Sequence, residues 1–213
     1  AAACGLTGFK PSLGRVPVGG PTAPAWADLS AKGPMTVRVR DAAAVLDATV
    51  GPDPTDLRSL PRPRVPWLPQ LDETHPPLRV AWSPTLGYAP VDPGVAEVCR
   101  AAVERLDATG CEVVEVPTVF PADPVEAWLV LTSVSHLRTF GDLRGTDEWE
   151  LLDPAIRFGI ELAADRTSAV DVVEAQDTCH ELNQTLATLF QSSTVLLSPV
   201  IAGRLPEPGG MGT

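Results

Sequence analysis

Leu78-Arg79-Val80-Ala81-Trp82, Asp92-Pro93-Gly94-Val95-Ala96-Glu97-Val98 and Cys111-Glu112-Val113-Val114-Glu115-Val116 decide the fold class of this chain. In the first stretch Leu78, Val80 and Trp82 alternate at period two, the spacing of a strand. Asp92 followed by Pro93 is an N-cap and first-turn pair, and it opens a helix that carries Val95, Val98, Ala102 and Leu106 on one face. Gly110 ends the helix, and Cys111–Val116 supplies a second strand. A strand, helix and strand of this size imply parallel pairing through a right-handed crossover. The expected class is therefore α/β, a mixed sheet flanked by helices.

Downstream the pattern turns helical. One helix is expected from Pro124 to Arg138 and another from Glu148 to Ala164. A third runs from Ser168, which forms a capping box with Asp171, to about Ser192. Val195-Leu196-Leu197 is short and wholly apolar, as in a strand buried on both faces, and Ser198-Pro199 stops it. The tail to Thr213 carries no closing element. Upstream, Pro52, Pro54, Pro61, Pro63, Pro66, Pro69, Pro76 and Pro77 crowd residues 51–77. That density opposes both helix and ladder bonding and predicts an extended surface connection. Before it, Ala42, Val45, Leu46 and Thr49 recur at helical spacing, so a helix spans Arg38 to Val50 and stops at Gly51-Pro52. Residues 1–35 read as loop with short extended pieces, in which Gly5, Gly8 and Gly14 mark positive-φ turns or close backbone contacts.

A chain of 213 residues suits one domain or a large piece of one. Its 16 basic and 27 acidic residues give a net charge of −11. Without Lys and Arg clusters, nucleic acid is excluded as a partner. No apolar run approaches the length of a membrane helix. Cys4, Cys99, Cys111 and Cys179 form no C-x-x-C pair, so reduced, buried thiols are expected rather than a disulfide framework or a metal site. A reducing, cytoplasmic setting is the matching expectation.

The opening run Ala1-Ala2-Ala3-Cys4-Gly5-Leu6-Thr7-Gly8-Phe9-Lys10-Pro11-Ser12-Leu13-Gly14-Arg15-Val16-Pro17 resembles the segment that follows the nucleophile motif of amidase signature enzymes. Gly33-Pro34-Met35 leading into Arg40-Asp41-Ala42-Ala43-Ala44-Val45-Leu46 resembles a second block of that family. Gly51-Pro52-Asp53-Pro54-Thr55-Asp56 looks like its Gly-x-Asp-x-x-Asp turn. The unit from Leu78 to Val116 and the run Val195–Pro199 sit where the family has later sheet strands. Ser193-Thr194 departs from the pattern, since an Asp is usual before the last strand.

The resemblance implies a partial amidase signature domain over residues 1–213, in three parts. These are a post-nucleophile segment and helix (1–50), the Pro-rich connection (51–77), and a βαβ unit with helices and a terminal strand (78–213). It implies hydrolysis of a small-molecule carboxamide by a Ser-cisSer-Lys mechanism, without metal or organic cofactor. The motif Gly-Gly-Ser-x-Arg-x-Pro would end directly before Ala1, so no catalytic residue is expected within the chain, and the chain alone is expected to be inactive. Two other readings of the same scaffold are a non-catalytic interaction subunit and an amidotransferase subunit. The partner expectation also leaves room for a homodimer.

Trp128, a large amphipathic ring on a helix, and Ile201, in the loop leaving the last strand, are the candidate substrate-binding residues. Other chemistry-bearing groups read as structural. Lys10 suits bonding of loop carbonyls. Ser133 and His136 share a helix face at i, i+3, whereas Ser135 and His136 do not face each other. Both serines and the histidine read as polar positions on a partly exposed helix. Cys179-His180-Glu181 cannot point in one direction and reads as a solvated or core-edge face, and His75 reads as exposed linker.

Overall fold

The computed structural model describes residues 1–21, 29–73 and 77–203. The chain divides into two units, Ala1–His75 and Pro76–Thr213. His75 lies outside the described residues.

In the first unit, β1 (Thr7–Gly8) pairs antiparallel with β2 (Met35–Thr36). Helix α1 (Val39–Thr49) follows and buries Ala42, Ala43 and Leu46. Small residues at 42 and 43 let neighbouring backbone approach this face, while Val45 of the predicted stripe is exposed. Val50 ends the helix and is buried, and Gly51 takes φ 141°. Gly5 and Gly14 adopt positive φ as expected, at 64° and 77°. Gly8 does not, and its lack of a Cβ instead admits Ala1.

The Pro-rich connection departs from expectation at one place: Trp67–Gln70 forms a short helix, α2. The sequence carries proline there, but Pro66 occupies the N-cap and Pro69 falls in the first turn, where no backbone N–H is needed. The Asp47 carboxylate on α1 accepts the Trp67 and Leu68 N–H groups at 2.8 and 2.9 Å, which satisfies the turn's free donors. The rest of the connection is pinned by side chains. Asp56 accepts the Val18 N–H at 2.9 Å, Thr55 accepts the Gly20 N–H at 3.1 Å, and Arg62 donates to the Asp47 carbonyl at 2.7 Å.

In the second unit, β3 (Arg79–Trp82) is the centre of a three-stranded sheet. It pairs in parallel with β4 (Glu112–Glu115) on one side and β5 (Val195–Leu197) on the other. Parallel and antiparallel pairing are thus both present, in two separate small sheets. The period-two reading of β3 understated its burial. Val80, Ala81 and Trp82 are all inaccessible, because a central parallel strand is covered on both faces. By contrast β5, read as fully buried, is half-buried, since it is paired along one edge only.

Helix α3 (Pro93–Asp107) begins at Asp92, whose carboxylate accepts the Gly94 and Val95 N–H groups at 2.8 and 3.3 Å. Its covered face differs from the one the periodicity indicated. Val103 is buried with Val95, Ala96 and Cys99 half-covered, so Val95 of the expected stripe is on the covered side, whereas Val98 is 71% exposed and Ala102 and Leu106 are also exposed. The expected stripe and the real one lie side by side on the helix, and packing against β4 selected between them.

Three helices complete the unit: α4 (Val125–Phe140), α5 (Pro154–Arg166) and α6 (Ala169–Leu189), with α4 packed on both others. The single helix expected from Glu148 to Ala164 is divided into a 3-10 turn (Asp147–Leu151) and α5. Pro154 explains the break. It disfavours helical geometry at Asp153, which becomes an N-cap accepting the Ala155 N–H at 2.8 Å. The predicted capping box is present: Asp171 accepts the Ser168 N–H at 2.6 Å while Ser168 accepts the Asp171 N–H at 3.3 Å. The core of the bundle is Ser133, Ile160, Ala163 and Ala175. Gly159 sets the α4–α5 approach, since a Cβ there would stand 3.1 Å from Ser133 Oγ.

Candidate functional site

The chain leaves β3 through α3 to reach β4 on one side, while β5 flanks β3 on the other. The carboxyl ends of β3 and β5 therefore bracket a topological switch point, where open parallel sheets form ligand crevices. Ser83, directly after β3, donates its N–H to the Leu197 carbonyl at 2.9 Å. The segment after β5 is tied back by the Asp92 N–H, which donates to the Ala202 carbonyl at 2.7 Å. Ile201 lies in this segment and is half-buried.

The loop from Ser83 to Val91 closes the same end of the sheet. Leu86 is the one non-glycine residue among those described with positive φ (55°), a conformation that must be held by its surroundings. Its carbonyl accepts the Val119 and Phe120 N–H groups at 3.1 and 2.9 Å. Tyr88 packs beside Phe120, with ring centroids 6.5 Å apart. Burial, helped by the Asp123 carboxylate, pushes the Tyr88 hydroxyl above its ordinary value, so it stays a neutral donor at any physiological pH. Nothing in the periodicity of residues 83–91 distinguished this loop; the Leu86 conformation is visible only in three dimensions.

Trp128 lies on α4 and is 51% exposed, so it is not a core residue. Ile201 and Trp128 are thus presented from separate elements, both with surface available for contact. The serine and histidine of α4 have a different placement. Ser133, read as partly exposed, is 1% exposed and wedged against α5, and Ser135 donates to the Leu131 carbonyl at 3.0 Å. A helix with Gly159 opposite buries a small hydroxyl that its own sequence left looking solvent-facing. His136 is half-buried with its ring 6.5 Å from that of Phe140.

Lys10 is exposed and donates to the Pro11 carbonyl at 3.4 Å, in line with a loop-bonding role. On α6, His180 is exposed and Cys179 half-buried. Among the described residues no three His, Cys, Asp or Glu side chains are grouped to hold a metal ion. All four thiols are free, and Cys4 is exposed rather than buried because the opening turn carries it on the surface. Among the described residues no helix is long and apolar enough to cross a membrane.

Burial holds the His136 imidazole below its ordinary 6.5. The unfolded chain therefore takes up this proton first as pH falls. The stabilising contribution is complete above about pH 6.5 and is lost as pH falls through the lower folded value. Urea titrations across the histidine range should show the midpoint dropping on acidification, and His136→Gln should flatten that dependence. An unchanged slope in the variant would assign the effect elsewhere.

The family model for amidases matches residues 1–212. The chain belongs to the amidase signature family. It is 32% identical over 202 residues to an amidase of Pseudomonas putida, covering 93% of this chain and 42% of that protein. It is 30% identical over 206 residues to an acylamidase of Rhodococcus erythropolis, covering 94% and 42%. The crystal structure of a bacterial aryl acylamidase of the amidase signature family superposes with a TM-score of 0.81 at 22% identity, over 93% of this chain and 42% of that one. At that identity the superposition establishes the fold. The chain spans about two fifths of the length of the relatives it matches.

Proposed function

We propose that these residues serve an amide hydrolase by shaping its substrate pocket, with the bond-breaking groups supplied by the segment that precedes Ala1 in the family pattern. The observation that carries this reading is the match over residues 1–212 together with amidase and acylamidase relatives aligned along nearly the whole chain. In the proposed reaction a serine hydroxyl, deprotonated through a relay serine by lysine, attacks the amide carbonyl carbon. Negative charge collects on the carbonyl oxygen and is held by backbone N–H groups of a Gly-rich loop, each worth about 3 kcal/mol. The amine leaves with a proton returned by the relay, and water releases the acid from the acyl-enzyme. No Gly-Gly-Ser occurs among the 213 residues, so none of them is assigned a catalytic role. Amide hydrolysis by this route draws on no cofactor, and free thiols suit a reducing compartment.

The substrate-facing role is assigned to the carboxyl ends of β3 and β5, where open parallel sheets bind ligands, with Ile201, half-buried in the segment after β5, and Trp128, 51% exposed on α4, as its apolar contacts. In the amidase carrying these residues behind its nucleophile segment, Trp128→Ala and Ile201→Ala should each change the ratio of kcat/KM for bulky over small amides. The expected size is about 1–3 kcal/mol. Rates across an amide series, read beside melting temperatures, test it: an equal loss for every amide, or a fall in melting temperature alone, would reduce both residues to scaffold.

A further inference from the structure

A second cleft lies wholly within the Ala1–His75 unit and belongs to no part of the site above. It measures about 370 Å³ and lies between α1, α2 and the segment after β1. Ala42, Ala43 and Leu46 form its floor and are buried. Phe9 (49%), Val39 (59%) and Leu71 (44%) stand exposed around it. Three large apolar side chains facing water around one concavity is the pattern of a surface that gains by being covered. The volume falls at the lower end of the range for small-molecule sites, which are mostly apolar with a few placed polar groups.

The polar group here is Arg15. Its guanidinium carbon lies 5.9 Å from the centre of the Trp67 ring, and Nη1 donates to the Pro61 carbonyl at 3.0 Å. Those two contacts fix the guanidinium plane at the wall of the cleft. A guanidinium has five N–H donors, and among the described residues this one makes a single hydrogen bond and no ion pair. Elsewhere in the chain arginines find carboxylates, as in Arg40 with Asp72 and Arg79 with Glu112. A half-buried, oriented cation whose other donors have no partner among the described residues, at the edge of an apolar floor in a chain of net charge −11, is complementary to an anion that carries hydrophobic surface. Ser12, at the same wall, adds one hydroxyl.

We propose that this cleft is a binding site for a small carboxylate bearing an aromatic or branched apolar group. The carboxylate takes the remaining N–H donors of Arg15 and the apolar group lies on Ala42, Ala43 and Leu46 between Phe9, Val39 and Leu71. The proposal does not depend on the amide-hydrolysis reading, since every residue in it belongs to the Ala1–His75 unit and its readout is binding.

Phenylacetate and phenylacetamide, nearly equal in shape and different in charge, are the probes for titration calorimetry on the full chain. Phenylacetate should saturate one site, phenylacetamide should bind weaker on the order of tenfold, and added salt should narrow the difference. Arg15→Gln should bring phenylacetate down to the amide's affinity, while Arg15→Lys retains part of the preference. Val39→Trp, which fills the cleft from an exposed position without touching the cation, should remove binding of both. Failure of phenylacetate to saturate the wild-type chain, equal affinity for acid and amide, or full binding by the Val39→Trp chain would each overturn the proposal, whether or not the Arg15 variants fold.

Discussion

Ile160→Ala should destabilise the helical unit by about 2–5 kcal/mol, the range for truncating a fully buried aliphatic side chain to alanine. Ile160 is wholly inaccessible and sits on α5 between Gly159 and the buried Ala163, on the face that meets α4. Ser133 lies close against Gly159, and the buried core positions Ser133, Ala163 and Ala175 have side chains too short to fill the space that Ile160 would leave. Ile160→Val, which removes one methylene, should cost about 0.5–1.5 kcal/mol. Urea unfolding followed by far-ultraviolet circular dichroism separates the two. A loss below about 1 kcal/mol for the alanine variant, half the lower bound, would show that the α4–α5 contact is loose.

The second large effect belongs to Gly14. It has φ 77°, and a Cβ there would overlap the Arg58 carbonyl. The neighbour is backbone and cannot rotate away. Gly14 also accepts the Leu60 N–H at 2.9 Å, which joins the opening segment to the proline connection. Gly14→Ala therefore combines left-handed strain of about 1–2 kcal/mol with loss of that hydrogen bond, another 1 kcal/mol or so. Residues 58–60 should be displaced, with faster amide exchange at Leu60 and new protease sensitivity in the connection. Gly5→Ala is the control. It shares a positive φ of 64° but meets open space, so only the conformational part of the cost should appear. Equal effects at the two glycines would mean that the Arg58 contact contributes nothing.

The family match bears out what the motifs of the first 56 residues indicated, and the elements with strong local signals are where the sequence placed them. Their causes are local too. Asp92-Pro93 starts a helix because the carboxylate satisfies free N–H groups that proline does not add to, and Ser168 with Asp171 works the same way. The carboxylates of the Gly-x-Asp-x-x-Asp turn are also legible in kind: Asp53 and Asp56 hold backbone and hydroxyl donors of the turn and of the opening segment. The Lys10 reading needed only the knowledge that a lysine among loop carbonyls will bond one.

The candidate sites were legible only in part. Trp128 and Ile201 could be nominated from residue type and position, but that Trp128 is exposed on a helix whose serine is buried depends on where α5 lies. The Arg15 cleft had no signal in the sequence, because Phe9, Arg15, Val39 and Trp67 approach one another only through the pairing of β1 with β2 and the capping of α2 by Asp47.

By itself, then, the sequence determined the α/β class, the parallel βαβ unit, the helix starts at Arg38, Asp92, Pro124 and Ser168, and the family, since each follows from short-range periodicity, capping chemistry or a contiguous motif. Tertiary structure decided which stripe of α3 is covered, that β3 is closed on both faces while β5 stands half-open, that Trp67–Gln70 turns into a helix among prolines, and that Ser133 is core while Trp128 is surface. Adjacent stripes of one helix both carry apolar residues, here Val98 and Leu106 on one and Cys99 and Val103 on the other, so which is covered is settled only when a second element comes to lie on one and not the other.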